Sequence, residues 1–364
     1  MEDGVRDRKK RVGSAVDKPK GGAHRYVIRK YFRNTENFGR SEMSVKMIGL
    51  SLSLALCVGT AALAQQDYPN RPVHVIVPLP AGSAADGVAR IVLPAAEKYL
   101  GQPFIIENEG GAASIPGTAR AAKSEPDGYT LLWGTVATQV SNPNMFKALP
   151  YDPAKDFTAV ARVVGQSMML AVPSSSEIDT VAKFVDKAKE AGNLSFASAG
   201  IGTSAHLCAE LLKLKTGITL RHIPYQGGSQ SALDLMRGET NMMFYSLAQF
   251  QPGLQSGELT LLGVAGDKRS KFKPDLPTLK EQGFDVVLTS WYGVYARSGT
   301  APEIVDKVAD AINKALKDPE VVAALDKTGS EVYATATPAE YQAFTDAERK
   351  RYGEIIEAAG IPKS

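Results

Sequence analysis

From Tyr68 onward, apolar residues fall into short runs separated by glycine-containing loops and by stretches with helical spacing. The run at 73–77, rich in Val and Ile, predicts a buried strand. A loop follows over 78–86, then a helix over 88–100. A second strand is predicted at 104–107, a small-residue loop at 108–117, a short helix at 118–124 and a third strand at 129–133. Continuous apolar strands alternating with helices imply a parallel sheet covered on both faces.

The pattern then recurs. A strand at 194–197, a loop at 198–204 and a helix at 205–215 are followed by a second such unit over 220–237. Further strands are predicted at 241–244 and 260–264, which implies a second sheet of similar kind. Val305, Val308, Ala309, Ile312 and Leu316 recur at helical spacing. Pro302 suits the first turn of that helix, and Pro338 opens a last helix running to about residue 359. The extended stretch 286–296 returns the chain to the first lobe. The fold class is therefore α/β, with two lobes, the second inserted into the first.

Four strand-to-helix loops share one chemistry. They are Pro80-Ala81-Gly82-Ser83-Ala84-Ala85-Asp86, Gly110-Gly111-Ala112-Ala113-Ser114-Ile115-Pro116-Gly117, Ser198-Ala199-Gly200-Ile201-Gly202-Thr203-Ser204 and Tyr225-Gln226-Gly227-Gly228-Ser229. Each feeds a helix, whose N-terminus offers unpaired N–H groups and a partial positive charge. Small side chains let an anion approach that backbone. In open α/β sheets the ligand lies beyond the carboxyl ends of the strands. Two loops from each lobe would line a cleft with neutral donors. Each loop alone also reads as a tight capped connection, and Asp86 reads equally as a helix cap or loop brace.

The N-terminus reads as an address. Lys46, an apolar stretch over 47–58 and Ala62-Leu63-Ala64 before Gln65 form the pattern of a cleaved secretory signal peptide. That apolar stretch is short for a membrane span, which needs about 20 residues. The expected organisation is a non-native or disordered extension over 1–42, a signal peptide over 43–64, lobe 1 over 65–167 and 289–364, and lobe 2 over 168–288. The expected location is the periplasm.

Charge changes meaning once the leader is set aside. The whole chain carries a formal +3, but residues 65–364 hold 29 basic and 33 acidic side chains, a net charge of about −4. No basic stripe marks a nucleic-acid partner. Cys57 lies in the leader, so Cys208 has no internal partner and reads as a buried thiol in a helix. No G-x-G-x-x-G follows a strand, and the glycines before Thr118 lack the lysine of a phosphate loop. His206 and Glu210 stand four apart as a conceivable metal pair, and Ser198 with His206 as a conceivable catalytic pair. Neither is adopted, because histidines are few, no orienting acid is evident and no nucleophile elbow is present. No cofactor and no metal is expected.

At these loops the chain resembles the Bug receptors, the periplasmic solute-binding subunits of tripartite tricarboxylate transporters. The matching pieces include Tyr68-Pro69-x-Arg71-Pro72, the Pro78-x-x-x-Gly82 loop with Asp86, Asn108, Pro126-Asp127-Gly128-Tyr129-Thr130-Leu131-Leu132 and Leu149-Pro150-Tyr151-Asp152-Pro153. They continue through the Ser198-to-Gly202 loop with His206-Leu207, Pro224-Tyr225-x-Gly227, Leu276-Pro277-Thr278 and Trp291-x-Gly293. The ordered set spans about residues 68–360. The resemblance implies a type II periplasmic-binding-protein fold that closes on a small carboxylate (a di- or tricarboxylate, an aromatic acid or an acidic amino acid). It implies no enzymatic activity, a monomer, and a membrane transporter as partner, with a sensor for a two-component system as the alternative.

Carried over by position, Gly82, Ser83, Asp86, Ala112, Ala113 and Ser114 would grip a carboxylate from the first lobe. Ser198, Ala199, Gly200, Thr203, His206 and Tyr225 would face them, with Thr135 and Thr138 after the third strand. The chain departs from the family where Leu79 replaces a common Phe, and Gly82-Ser83 a Gly-Gly pair. Ala113-Ser114 replaces a more glycine-rich stretch, and Tyr245 an Asp after the Met-Met-Phe strand. Leu79 and Tyr245 therefore enter the candidate site as determinants of which acid is bound. Tyr245 is suited to stacking on an aromatic acid or donating to a distal polar group, and equally to packing at the sheet edge.

Overall fold

The computed structural model describes residues 68–333 and 337–363. The extension and signal peptide read from the sequence lie outside the described residues. In chain order the elements are β1 (Val73–Val77), α1 (Ala84–Leu100), β2 (Phe104–Asn108), α2 (Ile115–Ala122), β3 (Thr130–Thr135), α3 (Asn142–Met145), α4 (Pro153–Asp156), β4 (Phe157–Pro173) and α5 (Val181–Ala191). They continue with β5 (Ser195–Ser198), α6 (Ser204–Thr216), β6 (Arg221–Pro224), α7 (Gly228–Met236), β7 (Met242–Tyr245), α8 (Leu247–Gln255) and β8 (Leu259–Ala265). The last are β9 (Thr289–Arg297), α9 (Pro302–Ala315), α10 (Pro319–Lys327), β10 (Ser330–Val332) and α11 (Pro338–Ala358).

The helix ends follow local chemistry. Ser83 caps α1 by accepting from the Asp86 N–H, and Gly101 closes it in the left-handed conformation. That cap starts the helix at Ala84, ahead of the position 88 expected from periodicity. Thr337 and Glu340 cap α11 reciprocally.

Strand order is β2-β1-β3-β9-β4-β7-β5-β6, with β8 and β10 also paired to β4. β1 is parallel to β2 and β3, and β5 is parallel to β6 and β7. β9 runs antiparallel to β3 and β4, and β7 and β8 run antiparallel to β4. The two sheets expected as separate and parallel are thus one mixed path. The joint is β4, a 17-residue strand to which the sequence reading assigns no element. It is buried on both faces, so it shows no period-two alternation to mark it. From Phe157 to Ser167 it pairs with β9, and from Met168 to Pro173 with β8. β4 is therefore the shared spine of the two lobes.

One buried cluster lies within the first lobe and a second runs through both. Val75, Val77, Val88, Val92, Trp133 and Ile312 pack between β1, β3, α1 and α9 in the first. Leu170, Phe184, Phe196, Leu207 and Phe244 belong to a core in the second that runs on to Trp291 and Tyr341. Cys208 is buried and free, its thiol pushed up by desolvation, as expected of a structural thiol. The loops that follow β1, β2, β3, β5, β6 and β7 all leave the carboxyl ends of their strands, where an open sheet gathers its ligand site.

Candidate functional site

A buried carboxylate shapes the first loop. Asp86 is 3% exposed. It accepts from the Gly82 N–H (2.8 Å), Arg90 Nε (3.0 Å) and Asn108 Nδ2 (2.9 Å). Burial opposes its charge, but the bonds from Arg90, Gly82 and Asn108 outweigh it and hold the carboxyl below its ordinary value. Asn108 Nδ2 also donates to the Leu79 carbonyl at 3.2 Å. This network turns Leu79 and Pro80 toward the cleft while Gly82 and Ser83 are consumed inside the loop.

The second loop packs on the first, since a Cβ on Gly110 would lie 2.7 Å from the Pro80 ring. Its tip holds Ala113 (φ 56°) and Ser114 (φ 66°) in the left-handed region, which costs about 1–2 kcal/mol per non-glycine residue. The Ala113 carbonyl accepts from Asn142 Nδ2 (2.9 Å), and the Ser114 carbonyl from Thr118 Oγ1 (2.6 Å). No side chain caps α2, which starts beside Ser114. Strain of this kind, held by surrounding bonds, is characteristic of ligand loops. After β3, Thr135 and Thr138 bond each other's backbone N–H groups (3.0 and 3.3 Å).

In the second lobe Ser198 is fully buried. Its hydroxyl accepts from the Gly200 N–H (3.1 Å) and is 2.7 Å from His222 Nε2. The rings of Phe196, His222 and His206 stack, with centroids 4.6 Å apart for the first pair and 4.2 Å for the second. His206 Nδ1 accepts from the Gly202 N–H (3.2 Å), and Thr203 caps α6 through the His206 N–H. These bonds set the path of residues 199–203. Gly200, at φ 135°, takes a conformation that side chains rarely adopt. The Tyr225 phenol donates to Asp234 (2.8 Å) and is pushed up to about 12 by burial and by that carboxylate. The Ser141 hydroxyl donates to the Gly202 carbonyl, a direct contact between the two lobes.

These loops border a cleft made of two adjoining cavities that share part of their lining. The outer part, about 320 Å³, lies among Pro80, Ala113, Phe146, Gly200, Tyr225 and Gln226. The inner chamber, about 60 Å³, lies among Gln166, Met168, Tyr245, Ser246, Ser290 and Tyr292. Leu79, Ser114, Ala137, Ala199 and Thr203 border both. Among the described residues no charged side chain lines either part.

Of the residues singled out from sequence, Leu79, Ala113, Ser114, Thr135, Ala199, Gly200, Thr203, Tyr225 and Tyr245 border the cleft. Gly82, Ser83, Asp86, Thr138, Ser198 and His206 stand behind it and fix loop geometry through the bonds above. Ala112 opens the turn that leads to Ser114. Sequence reasoning missed Gln166 and Met168 on β4, Ser246 before α8, and Ser290 and Tyr292 on β9. A lone Gln inside the apolar run around residue 166 was the available signal. Ser246 follows the same strand-to-helix rule as the four loops, but the pattern of α8 was not read.

His206 and His222 give a direct check on this geometry. Burial, aided by His222 and Lys213, lowers His206 to about 3, and burial with Lys213 lowers His222 to about 4. The unfolded chain takes up both protons near pH 6.5, while the folded chain does so only near those lower values. Stability therefore falls as pH drops from about 6.5 toward 4. Ring signals followed by NMR should show both residues neutral at pH 5. An inflection near 6.5 for either would contradict the stacked, buried arrangement.

Residues 88–361 match the family described as tripartite tricarboxylate transporter family receptor, TctC. The protein BugT of Bordetella pertussis is 31% identical over 318 residues, covering 86% of this chain and 96% of the relative. The fold matches an R. palustris protein solved with adipate (TM-score 0.78, 30% identity, 82% of this chain and 100% of the other). It also matches MatC from Rhodopseudomonas palustris with bound malate (TM-score 0.75, 28% identity, 79% and 100%). With its type II binding-protein lobes joined by β4 and a cleft at the strand ends, the chain belongs to the TctC, or Bug, family of periplasmic solute-binding receptors.

Proposed function

We propose that this chain captures a small carboxylate between its lobes and passes it, as a monomer, to the membrane subunits of a tripartite tricarboxylate-type transporter. The observation that carries this reading is a cleft with no charged side chain, into which helix N-termini and hydroxyls converge. Such donors stabilise an anion by about 0.3–1 kcal/mol per helix terminus at exposed sites and by up to about 2 kcal/mol when partly buried. They hold the ligand without a fixed cation and so let it leave again. Two relatives of the same fold, solved with adipate and with malate, support the ligand class.

The lobes are read as 65–167 with 289–364, and 168–288. The change of β4's partner after Ser167 and the start of β9 at Thr289 support those boundaries. The site residues of this reading are the nine from sequence that border the cleft, shaped by the six behind it and the turn at Ala112.

An enzyme in the same cleft is disfavoured. Ser198 and His222 do form a hydrogen bond, but the serine is fully buried, turned to Gly200 and absent from the cleft wall. Among the described residues no acid–base pair lines the cavity.

Calorimetry on matched acids and amides tests the ligand class. An acid should bind and its carboxamide should not, and equal affinity would contradict the reading. Ser114→Ala, which removes a hydroxyl from both parts of the cleft, should weaken binding by about 10–150-fold. That is the roughly 1.5–3 kcal/mol of a hydrogen bond to a charged group. Unchanged affinity would remove Ser114 from the site.

Export by signal-peptide cleavage belongs to the same proposal. Among the described residues no helix is long and apolar enough to cross a membrane. N-terminal sequencing of periplasmic protein should begin at Gln65, and an intact leader there would refute cleavage.

A further inference from the structure

We propose that Gly202 seats in a socket made by Ser141, Asn142 and Met145, that this contact joins the lobes before any ligand arrives, and that it scales the affinity for every ligand by one common factor. The inference rests on the receptor reading above and names how that site is regulated.

The contact crosses from one lobe to the other. Ser141, Asn142 and Met145 belong to the segment that follows β3, and Gly202 to the loop before α6. All four residues are buried. None of them lines either cavity of the cleft. The contact is therefore one that a ligand neither completes nor displaces.

The fit is close. The Ser141 hydroxyl donates to the Gly202 carbonyl. Gly202 takes φ 78°, in the region that favours glycine. A Cβ there would lie 3.2–3.3 Å from Asn142 Oδ1, Met145 Sδ and Ser141 Oγ. Any side chain at this position would press on the socket as well as strain the loop.

The same groups keep the contact reversible. Asn142 Oδ1 is buried against Gly202 and has no hydrogen-bond partner, so seating Gly202 removes that oxygen from solvent at a cost. When the lobes part, the Ser141 hydroxyl can fall back on the Val136 carbonyl, 3.4 Å away. One favourable bond is thus partly offset, which biases the lobes toward joining without locking them. Asn142 also donates to the Ala113 carbonyl at 2.9 Å, so the socket is braced against the turn that presents Ser114.

The apparent affinity of a receptor is its intrinsic affinity scaled by the fraction of chains in the competent form. A contact that raises this fraction without touching the ligand raises the affinity for all ligands alike.

Two experiments test the socket. Calorimetry and stopped flow compare wild type with Ser141→Ala on succinate, adipate, glutamate and benzoate. Ser141→Ala should weaken each acid that binds by about 5–30-fold. The factor should agree between acids within about twofold, and it should come from faster dissociation with the association rate unchanged. An unchanged affinity, or factors that differ more widely, would refute the socket while the receptor reading stands. The second experiment uses the ligand-free exported chain. A Cβ on residue 202 would lie 3.3 Å from Ser141 Oγ, so the double variant Ser141→Cys, Gly202→Cys should form a disulfide under mild oxidation. The oxidised form should have a smaller radius of gyration than the reduced one. A bridge that forms only with a bound acid, or not at all, would overturn joining ahead of the ligand. If none of the four acids binds, the receptor reading falls and the crosslink alone decides the socket.

Discussion

Asp86 never touches the cleft, yet the first wall of the cleft depends on it. Its buried carboxylate gathers Gly82, Arg90 and Asn108 and, through Asn108, the carbonyl of Leu79. In the proposed function the cleft would hold an anion without a cation, by backbone N–H groups and hydroxyls alone. These are directional, so their value lies in being held in place before the ligand arrives. The charge of Asp86 is spent behind the wall to fix such a loop. Ser198, His222 and His206 fix residues 199–203 in the second lobe by the same logic, with neutral groups throughout.

The same constraint explains the strained tip at Ala113 and Ser114. The left-handed turn places Ser114 at the border of both parts of the cleft, and bonds from Asn142 and Thr118 hold it there. Asn142 follows directly on Ser141, which reaches across to Gly202. Two neighbouring side chains thus tie the turn at Ala113 to the loop at Gly202. In the proposed function, a ligand between Ser114 and Gly200 would add to that joint.

Much of this was legible in the sequence, for identifiable reasons. β1 was readable to the residue because its apolar run ends at Pro78 and a glycine loop. The four loops stood out only as a set, because each alone reads equally as a tight capped connection. β4 was missed because Arg162 and Gly165-Gln166-Ser167 break its apolar run, so it matches neither an alternating strand nor a continuous one. That omission also hid Gln166, and an unread α8 hid Ser246. Gly82, Ser83, Asp86, Thr138, Ser198 and His206 read from sequence as ligand contacts, whereas in the fold they lie outside the lining of the cleft. A carboxylate that accepts from its own loop and one that faces a ligand look alike in a linear chain.

The central claim is that an acid draws the two lobes together through donors on both sides of an uncharged cleft. Small-angle scattering of the exported chain, with and without a saturating acid that calorimetry shows to bind, tests it most directly. The account predicts a smaller radius of gyration with the acid. It also predicts that the contraction is lost in Gly200→Leu, where a side chain at φ 135° and against the Tyr225 carbonyl would displace the second-lobe loop while circular dichroism stays native. An unchanged radius with the bound acid, or an undiminished contraction in Gly200→Leu, would contradict it.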